Sequence, residues 1–315
     1  MNRTVVTGGA GFIGSSLVRA LLKQGEHVHV IDDLSSGTLD NLEEVADQIT
    51  VHEYDVADYD RIAPVIAGAK TVFHLAAVAS VPKSIVEPVK SHRTNIDGTF
   101  NVLRAAAEGK ARRVVFAASS AAYGDSPELP KTESMLPRPK SPYASQKVLG
   151  EYYMKNFAEC FGLETVSLRF FNVFGPRQDP TSPYSGVLSI FMSCLLEGRN
   201  PTIFGDGNHS RDFIFVEDIV NLLLRASTAS ADIVSGHVYN AGNGVRTTLN
   251  QVWDQLQKIA GVTLPANYGP ERTGDVRDSQ ADNSAAVKDL GYASQFSLEQ
   301  GLKQTLDWYR ASVRV

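Results

Sequence analysis

Tyr143 and Lys147 stand four residues apart in Ser141-Pro142-Tyr143-Ala144-Ser145-Gln146-Lys147, and chemistry is easiest to read at that spacing in this 315-residue chain. Ser141 suits a helix N-cap and Pro142 the first helical turn, so the phenol and the amine are expected on one helix face. A tyrosine ordinarily ionises at about pH 10 and is a poor base at neutrality. A neighbouring ammonium and the positive end of a helix stabilise its phenolate, which can then take a proton from an alcohol while a hydride leaves the same carbon. Most Tyr-x-x-x-Lys spacings are solvated helix faces. Here Ser119-Ser120 follows the predicted strand Arg113–Ala117, and a serine there would hydrogen-bond the reacting oxygen and relay its proton. Ser119, Tyr143 and Lys147 are therefore the candidate catalytic residues.

Those residues need a scaffold, and the first half of the chain supplies its pattern. Runs rich in Val, Ile, Phe and Thr predict strands at Arg3–Thr7, His27–Ile31, Ile49–Tyr54, Thr71–His74, Arg113–Ala117 and Thr165–Arg169. Helical periodicity predicts helices at Phe12–Gln24, Asp60–Ile66, Thr94–Ala107 and Pro142–Phe161. This alternation implies right-handed crossovers and a doubly wound parallel sheet of the Rossmann type. After Phe170 the rhythm breaks, with Pro and Gly punctuating 175–186 and 201–207 and helical patterns at Val216–Ala226, Leu249–Ala260 and Leu298–Tyr309. The expected division is a dinucleotide-binding domain over 1–172, helped by a strand and helix from about 210–245. A smaller mixed α/β substrate lobe over 173–315 would close on the carboxyl ends of the strands.

The turn after the first predicted strand reads Thr7-Gly8-Gly9-Ala10-Gly11-Phe12-Ile13-Gly14. Gly8 would allow the tight turn, Gly11 the approach of a pyrophosphate to the backbone, and Gly14 close helix–strand packing; the helix start offers free N–H groups to phosphates. Glycines by themselves also simply make turns. Asp32 ends the second strand about twenty residues later, which completes a dinucleotide fingerprint. A carboxylate there accepts a ribose hydroxyl and repels a 2′-phosphate, favouring NAD over NADP. Asp55, after the third strand, is placed to receive the adenine amine.

Bulk properties narrow the class. Hydrophobic residues make up 43% and charged residues 21%, as in ordinary globular proteins, and the formal charge of −5 without a basic run argues against a nucleic-acid binder. Cys160 and Cys194 form neither a metal spacing nor a disulfide framework, so no metal is expected and a reducing cytoplasm fits best. No segment is long and apolar enough to span a bilayer.

The chain resembles extended short-chain dehydrogenases/reductases and, within them, UDP-glucose and UDP-N-acetylglucosamine 4-epimerases. The likeness runs through TGGAGFIG, DDLSSG, HLAA at His74–Ala77, SSAAYG at Ser119–Gly124, SPYASQK, RFFNVFGPRQDP at Arg169–Pro180, FGDGNHSRDFIFVEDI at Phe204–Ile219 and GDVRDSQAD at Gly274–Asp282. It implies that Phe12 and Ile13 of the first motif, Leu34, Ser35, Ser36 and Gly37 of the second, and Val56 beside Asp55 belong to the NAD site. It also implies Leu75, Ala76 and Ala77 along the ribose and phosphates, Asn95 in the network behind them, and Phe170 and Val173 at the nicotinamide end. For the UDP-sugar it implies Asn172, Arg211 and Arg272 on the diphosphate, Val187, Thr202 and Phe204 around uridine, and Asp275 near its ribose. Ala79, Ser80, Ser120, Ala121, Gln178, Gly186 and Ser279 would form the sugar pocket.

Reaction type is narrowed by missing groups. Dehydratases of this family carry an Asp-Glu pair just after the active-site Ser/Thr, and decarboxylases a nearby Glu; Ser120 and Ala121 stand here instead. A transient 4-keto sugar would then rotate and take hydride back on its other face. Small residues at Ser279, Ala79, Ala121 and Gly186 leave room for a 2-acetamido group, so UDP-GlcNAc/UDP-GalNAc is favoured and UDP-Glc/UDP-Gal allowed. A uronate is disfavoured because Gly186 offers its carboxylate no cation. The alternatives are a UDP-glucuronate 4-epimerase, a 4,6-dehydratase or reductase on the same scaffold, and a non-catalytic NAD-binding regulator. His74 is expected to be structural, and Trp253 and Trp308 to pack the core. The helices Thr94–Ala107 and Pro142–Phe161 would pair in a homodimer, by analogy.

Overall fold

The computed structural model describes residues 3–179, 186–271 and 276–312. Seven parallel strands form the central sheet. Six come from the first half: β1 (Arg3–Thr7), β2 (His27–Asp32), β3 (Ile49–Glu53), β4 (Thr71–His74), β5 (Arg113–Ser119) and β6 (Glu164–Phe170). The seventh, His237–Ala241, returns from the second half and pairs with β6 along Val166–Phe170. The order across the sheet is His237–Ala241, β6, β5, β4, β1, β2, β3. From β1 the chain steps outward first through β2 and β3 and then, on the other side, through β4, β5 and β6. The crevice beyond the ends of β1 and β4 is the place where such sheets bind ligands.

The β-branched runs form central strands because both faces are covered; every residue of β5 is buried. One face packs Val6, Val28, Val30 and Val166 against α1 (Phe12–Lys23) and the helix Val216–Thr228. The other packs Val5, Ile31, Val72 and Val114 against α2 (Tyr59–Ile66), then, past α3 (Val81–Val86) and α4 (Pro88–His92), against α5 (Gly98–Glu108) and α6 (Pro142–Phe161). The helix expected at Thr94–Ala107 is divided. Arg93–Asp97 forms a wider π turn in which Asn95 turns inward to bond the backbone of Val78, and α5 starts at Gly98. Gly98 is required there, since a Cβ would lie 2.6 Å from the Val56 side chain.

Beyond β6 three two-stranded pairings replace the regular alternation. Asn172–Phe174 joins Phe213–Phe215, Ser210–Arg211 joins Thr247–Thr248, and Thr202–Phe204 joins Asn267–Gly269. The helices Val187–Leu196, Leu249–Ala260 and Leu298–Ser312 enclose a third core of Phe174, Phe191, Phe215, Trp253, Leu302 and Leu306. Leu249–Ala260 starts with a capping box: Thr248 accepts from Gln251 N–H while the Gln251 side chain accepts from Thr248 N–H. No helix among the described residues is long and apolar enough to cross a membrane.

Candidate functional site

The helix that carries Tyr143 and Lys147 is built as its sequence directs. Ser141 Oγ accepts the Ala144 N–H at 3.2 Å, Pro142 occupies the first turn, and α6 then runs twenty residues. Its start is fastened sideways, because Tyr143 N–H donates to Ser84 Oγ at 3.1 Å from α3. Gly150 lets the helix settle on the sheet, where a Cβ would meet the Phe116 ring at 2.6 Å. Tyr143, Lys147 and Glu151 follow one another at four-residue steps and so share one face.

Lys147 is 4% exposed, its Nζ donates to Ala117 O at 2.7 Å, and it lies 5.9 Å from the centre of the Tyr143 ring. Burial pushes its pKa down to about 7, opposed by the carboxylate of Glu151. Tyr143 is half-buried; burial raises its phenol above the ordinary value, and a hydrogen bond with Ser119 pulls it back. Ser119 closes β5, and its Oγ also accepts the Ala121 N–H at 3.2 Å. Glu151 is locked by Arg169 in a bidentate pair at 2.8 and 2.7 Å, so the charge behind Lys147 is fixed in place.

A cleft of about 700 Å³ opens in front of this face and extends over the ends of β1, β2 and β4. Ser119, Tyr143 and Lys147 line it, together with Gly8, Gly11, Phe12 and Ile13 of the first turn. Asp32, Ser35, Ser36, Asp55 and Val56 line its far end, Leu75, Ala76 and Ala77 its floor, and Phe170 and Val173 the wall beside Tyr143. Leu34, Gly37 and Asn95 do not reach it. Leu34 turns with φ 55°, Gly37 backs onto Ala10, and Asn95 holds Val78 and Gln146 behind the wall. Asp32 has structural partners of its own: its two oxygens accept the N–H groups of Ala10 and Leu34 at 2.9 Å, tying the glycine turn to β2. Burial raises its pKa, and those two bonds oppose the rise.

The cleft fits a dinucleotide. Gly8 adopts φ 71°, and a Cβ there would strike Ala76 N at 2.7 Å, so the turn can only be this tight with glycine. At Gly14 a Cβ would lie 2.0 Å from Gly8 O. The start of α1 is left open to an anion, with no acidic residue in its first turn. His74 is fully buried between Thr7 and Thr99 at 2.8 and 3.0 Å, and burial takes its pKa down to about 3, which makes it a neutral structural link.

The residues expected to hold a sugar nucleotide are more scattered. Ala79 and Gln178 line the cleft, and Gly186 lies against Gln178. Ser80 caps α3 through Lys83 N–H, and Ser120 and Ala121 begin the 3-10 turn after β5. Asn172 donates to Asp212 O at 3.3 Å and to Ser279 Oγ at 3.4 Å, which places these two expected residues side by side. Val187 starts a helix, Thr202 and Phe204 lie on one short strand, and Arg211 on another, where its Nη1 donates to Ser210 O and Arg277 O. Arg272 and Asp275 lie outside the described residues.

Several residues of the site were given no role by the sequence, although Arg177 and Gln146 stand within motifs that carry the resemblance. Arg177 and Trp308 line the cleft although they are remote from the fingerprint, and Trp308 packs the third core as well. Ser84, Ser91 and Gln146 act from behind the wall. Glu151 could have been found as the next step along the Tyr143–Lys147 face, and Arg177 and Gln146 from their places in the quoted motifs.

Comparison with known proteins agrees with this geometry. The model of the NAD dependent epimerase/dehydratase family matches residues 4–242. A UDP-glucose 4-epimerase of Mycolicibacterium smegmatis is 38% identical over 313 residues, 98% of each chain. A solved UDP-N-acetylglucosamine 4-epimerase from Methanobrevibacter ruminantium, in complex with UDP-N-acetylmuramic acid, has a TM-score of 0.94 at 38% identity, covering 98% of both chains. A UDP-glucose 4-epimerase of Thermus thermophilus in complex with NAD has a TM-score of 0.89 at 33% identity, covering 99% of this chain and 100% of its own. A glycine turn that admits a diphosphate, a tyrosine–lysine face beside it and a family match across three-quarters of the chain converge, and the protein belongs to the NAD-dependent epimerase/dehydratase family.

Proposed function

We propose that this chain inverts C4 of a UDP-hexose through a transient 4-keto sugar. The observation that carries the reading is the composition of the catalytic face: Ser119, Tyr143 and Lys147 converge on the cleft, and Ser120 and Ala121, which follow Ser119, bring no carboxyl group to expel a hydroxyl. Bound NAD would supply a two-electron acceptor that returns what it takes, so no net oxidation results. Gly8, Gly11, Asp32 and Ala76 would hold it, with Asp32 on the adenosine ribose.

Tyr143 Oη takes the proton of the C4 hydroxyl, and Ser119 holds the same oxygen. A protonated Lys147 favours the phenolate that this requires, and Glu151 favours a protonated Lys147. After the keto sugar has turned its opposite face inward, Tyr143 returns the proton and the C4 hydroxyl is restored inverted.

The substrate we favour is UDP-GlcNAc/UDP-GalNAc, with UDP-Glc/UDP-Gal also turned over, because Ala79, Ala121, Gly186 and Ser279 are all small. Exposed Phe100, Leu149 and Tyr152 on α5 and α6 support a homodimer through those helices. The test is to incubate the protein with each UDP-sugar, without and with added NAD, and to resolve the C4 epimers. Interconversion supports the reading. Loss of water, loss of carbon dioxide or stoichiometric NADH consumption identifies a different enzyme on this scaffold.

A further inference from the structure

Arg177 stands in the turn that follows the strand Asn172–Phe174, in a left-handed conformation (φ 69°) unusual for a residue with a Cβ. The turn is anchored from two sides. Arg177 Nη2 donates to Ser16 Oγ on α1 at 3.2 Å, and Gln178 O accepts the hydroxyl of Tyr309 from the C-terminal helix. Arg177 lines the cleft that also exposes the glycine turn and the first residues of α1, and its guanidinium reaches α1 at Ser16. A guanidinium carries five N–H donors. Among the described residues, Nη2 alone has a hydrogen-bond partner, and Nε is shielded from solvent with none. Burial, with Arg19 nearby, holds its pKa below the usual guanidinium value, and Glu44 and Glu217 act weakly the other way. No ion pair among the described residues neutralises it. A cation held this way, partly desolvated and short of acceptors, is a binding group awaiting an anion.

We propose that Arg177 binds the diphosphate of NAD together with the glycine turn, supplying the cationic partner that the turn's neutral backbone lacks. This rests on NAD as the family's cofactor. The substrate lobe thereby contributes directly to holding the cofactor, which a purely structural brace between the turn and α1 would not do.

The experiment loads the protein with NADH, follows its fluorescence during a chase with excess NAD, and measures ADP and adenosine by competition. The unaltered protein is compared with Arg177→Met, Arg177→Lys and Ser16→Ala. Arg177→Met is expected to release NADH at least about tenfold faster and to weaken ADP by a similar factor, with adenosine changed less than about twofold. Arg177→Lys should recover part of the loss in low salt and lose it again in high salt, because a point charge survives without the fork geometry. Ser16→Ala, which removes the brace and keeps the guanidinium, should change NADH release less than about twofold. Equal weakening of NADH, ADP and adenosine, an unchanged release rate in Arg177→Met, or a Ser16→Ala defect as large as that of Arg177→Met would each overturn the assignment. If Arg177→Met does not fold, the salt dependence of Arg177→Lys decides by itself. Failure of the unaltered protein to bind NADH would instead overturn the cofactor reading beneath it.

Discussion

At one end of the cleft Gly8, Gly11, Asp32 and Ala76 lie at or just beyond the ends of neighbouring parallel strands. The second region, the residues expected at the sugar nucleotide, is assembled differently: Asn172 and Ser279 touch across 107 residues of sequence, and Arg211 sits on a two-residue strand paired with Thr247–Thr248. The first end is rigid because the sheet register sets it. The second depends on long-range links such as buried Asp212, whose carboxylate accepts the N–H groups of Asn243, Gly244 and Ala281. Damage at the first end should therefore strike every substrate alike, whereas changes at the second should discriminate between substrates.

Tyr143→Phe offers the sharpest test of the shared half. Turnover of acetylated and plain hexoses should fall together by about 10²- to 10⁴-fold, with NADH affinity little changed; substrate-selective loss would break the comparison. Lys147 gives a pH signature. In the folded protein it loses its proton near pH 7, whereas the unfolded chain keeps it to about pH 10.4, so between these values the unfolded state binds more protons and stability rises with pH. Relative to Lys147→Met, the unaltered protein should gain up to about 1.4 kcal/mol per pH unit across that window in urea unfolding, and a flat difference would refute the lowered pKa of the buried lysine.

Gly14→Ala places a Cβ 2.0 Å from Gly8 O, and should lower stability by about 1–3 kcal/mol and weaken NADH binding for all substrates equally. Asp32→Ser should move the NADH to NADPH affinity ratio at least about tenfold toward NADPH, measured by fluorescence titration, because like charges in contact cost several kcal/mol. The smallest effect belongs to the other half. Ser279→Tyr should lower kcat/KM for the acetylated sugar about tenfold relative to the plain hexose. An equal fall for both would show that Ser279 acts through Asn172 and the Asp212 backbone, which its Oγ already meets at 3.4 Å, and not through pocket size.

Much of the shared half was legible from local pattern. The helix Pro142–Phe161 has its expected bounds because its cap, its proline and its final Gly162 are all local signals, Gly162 taking the left-handed conformation that ends the helix. The strands of the first half fall within two residues of their expected limits for a similar reason: in inner strands such as β4 and β5, burial on both faces demands unbroken apolar runs. Edge strand β3 keeps β-branched residues although it is partly exposed. Division of the helix at Arg93–Asp97 was not legible, since it follows from where Asn95 finds Val78.

By itself the sequence determined the six strand segments of the first half, the glycine turn and the spacing of Tyr143 and Lys147, since each depends on residues a few positions apart and on backbone geometry common to all chains. Only the tertiary structure decided that Arg177 and Trp308 reach the cofactor cleft, that Asp32 spends its oxygens on Ala10 and Leu34, and that Asn172 meets Ser279. The physical reason is that a side chain's partners across the fold depend on how separate elements pack, and packing leaves no periodic trace in the sequence.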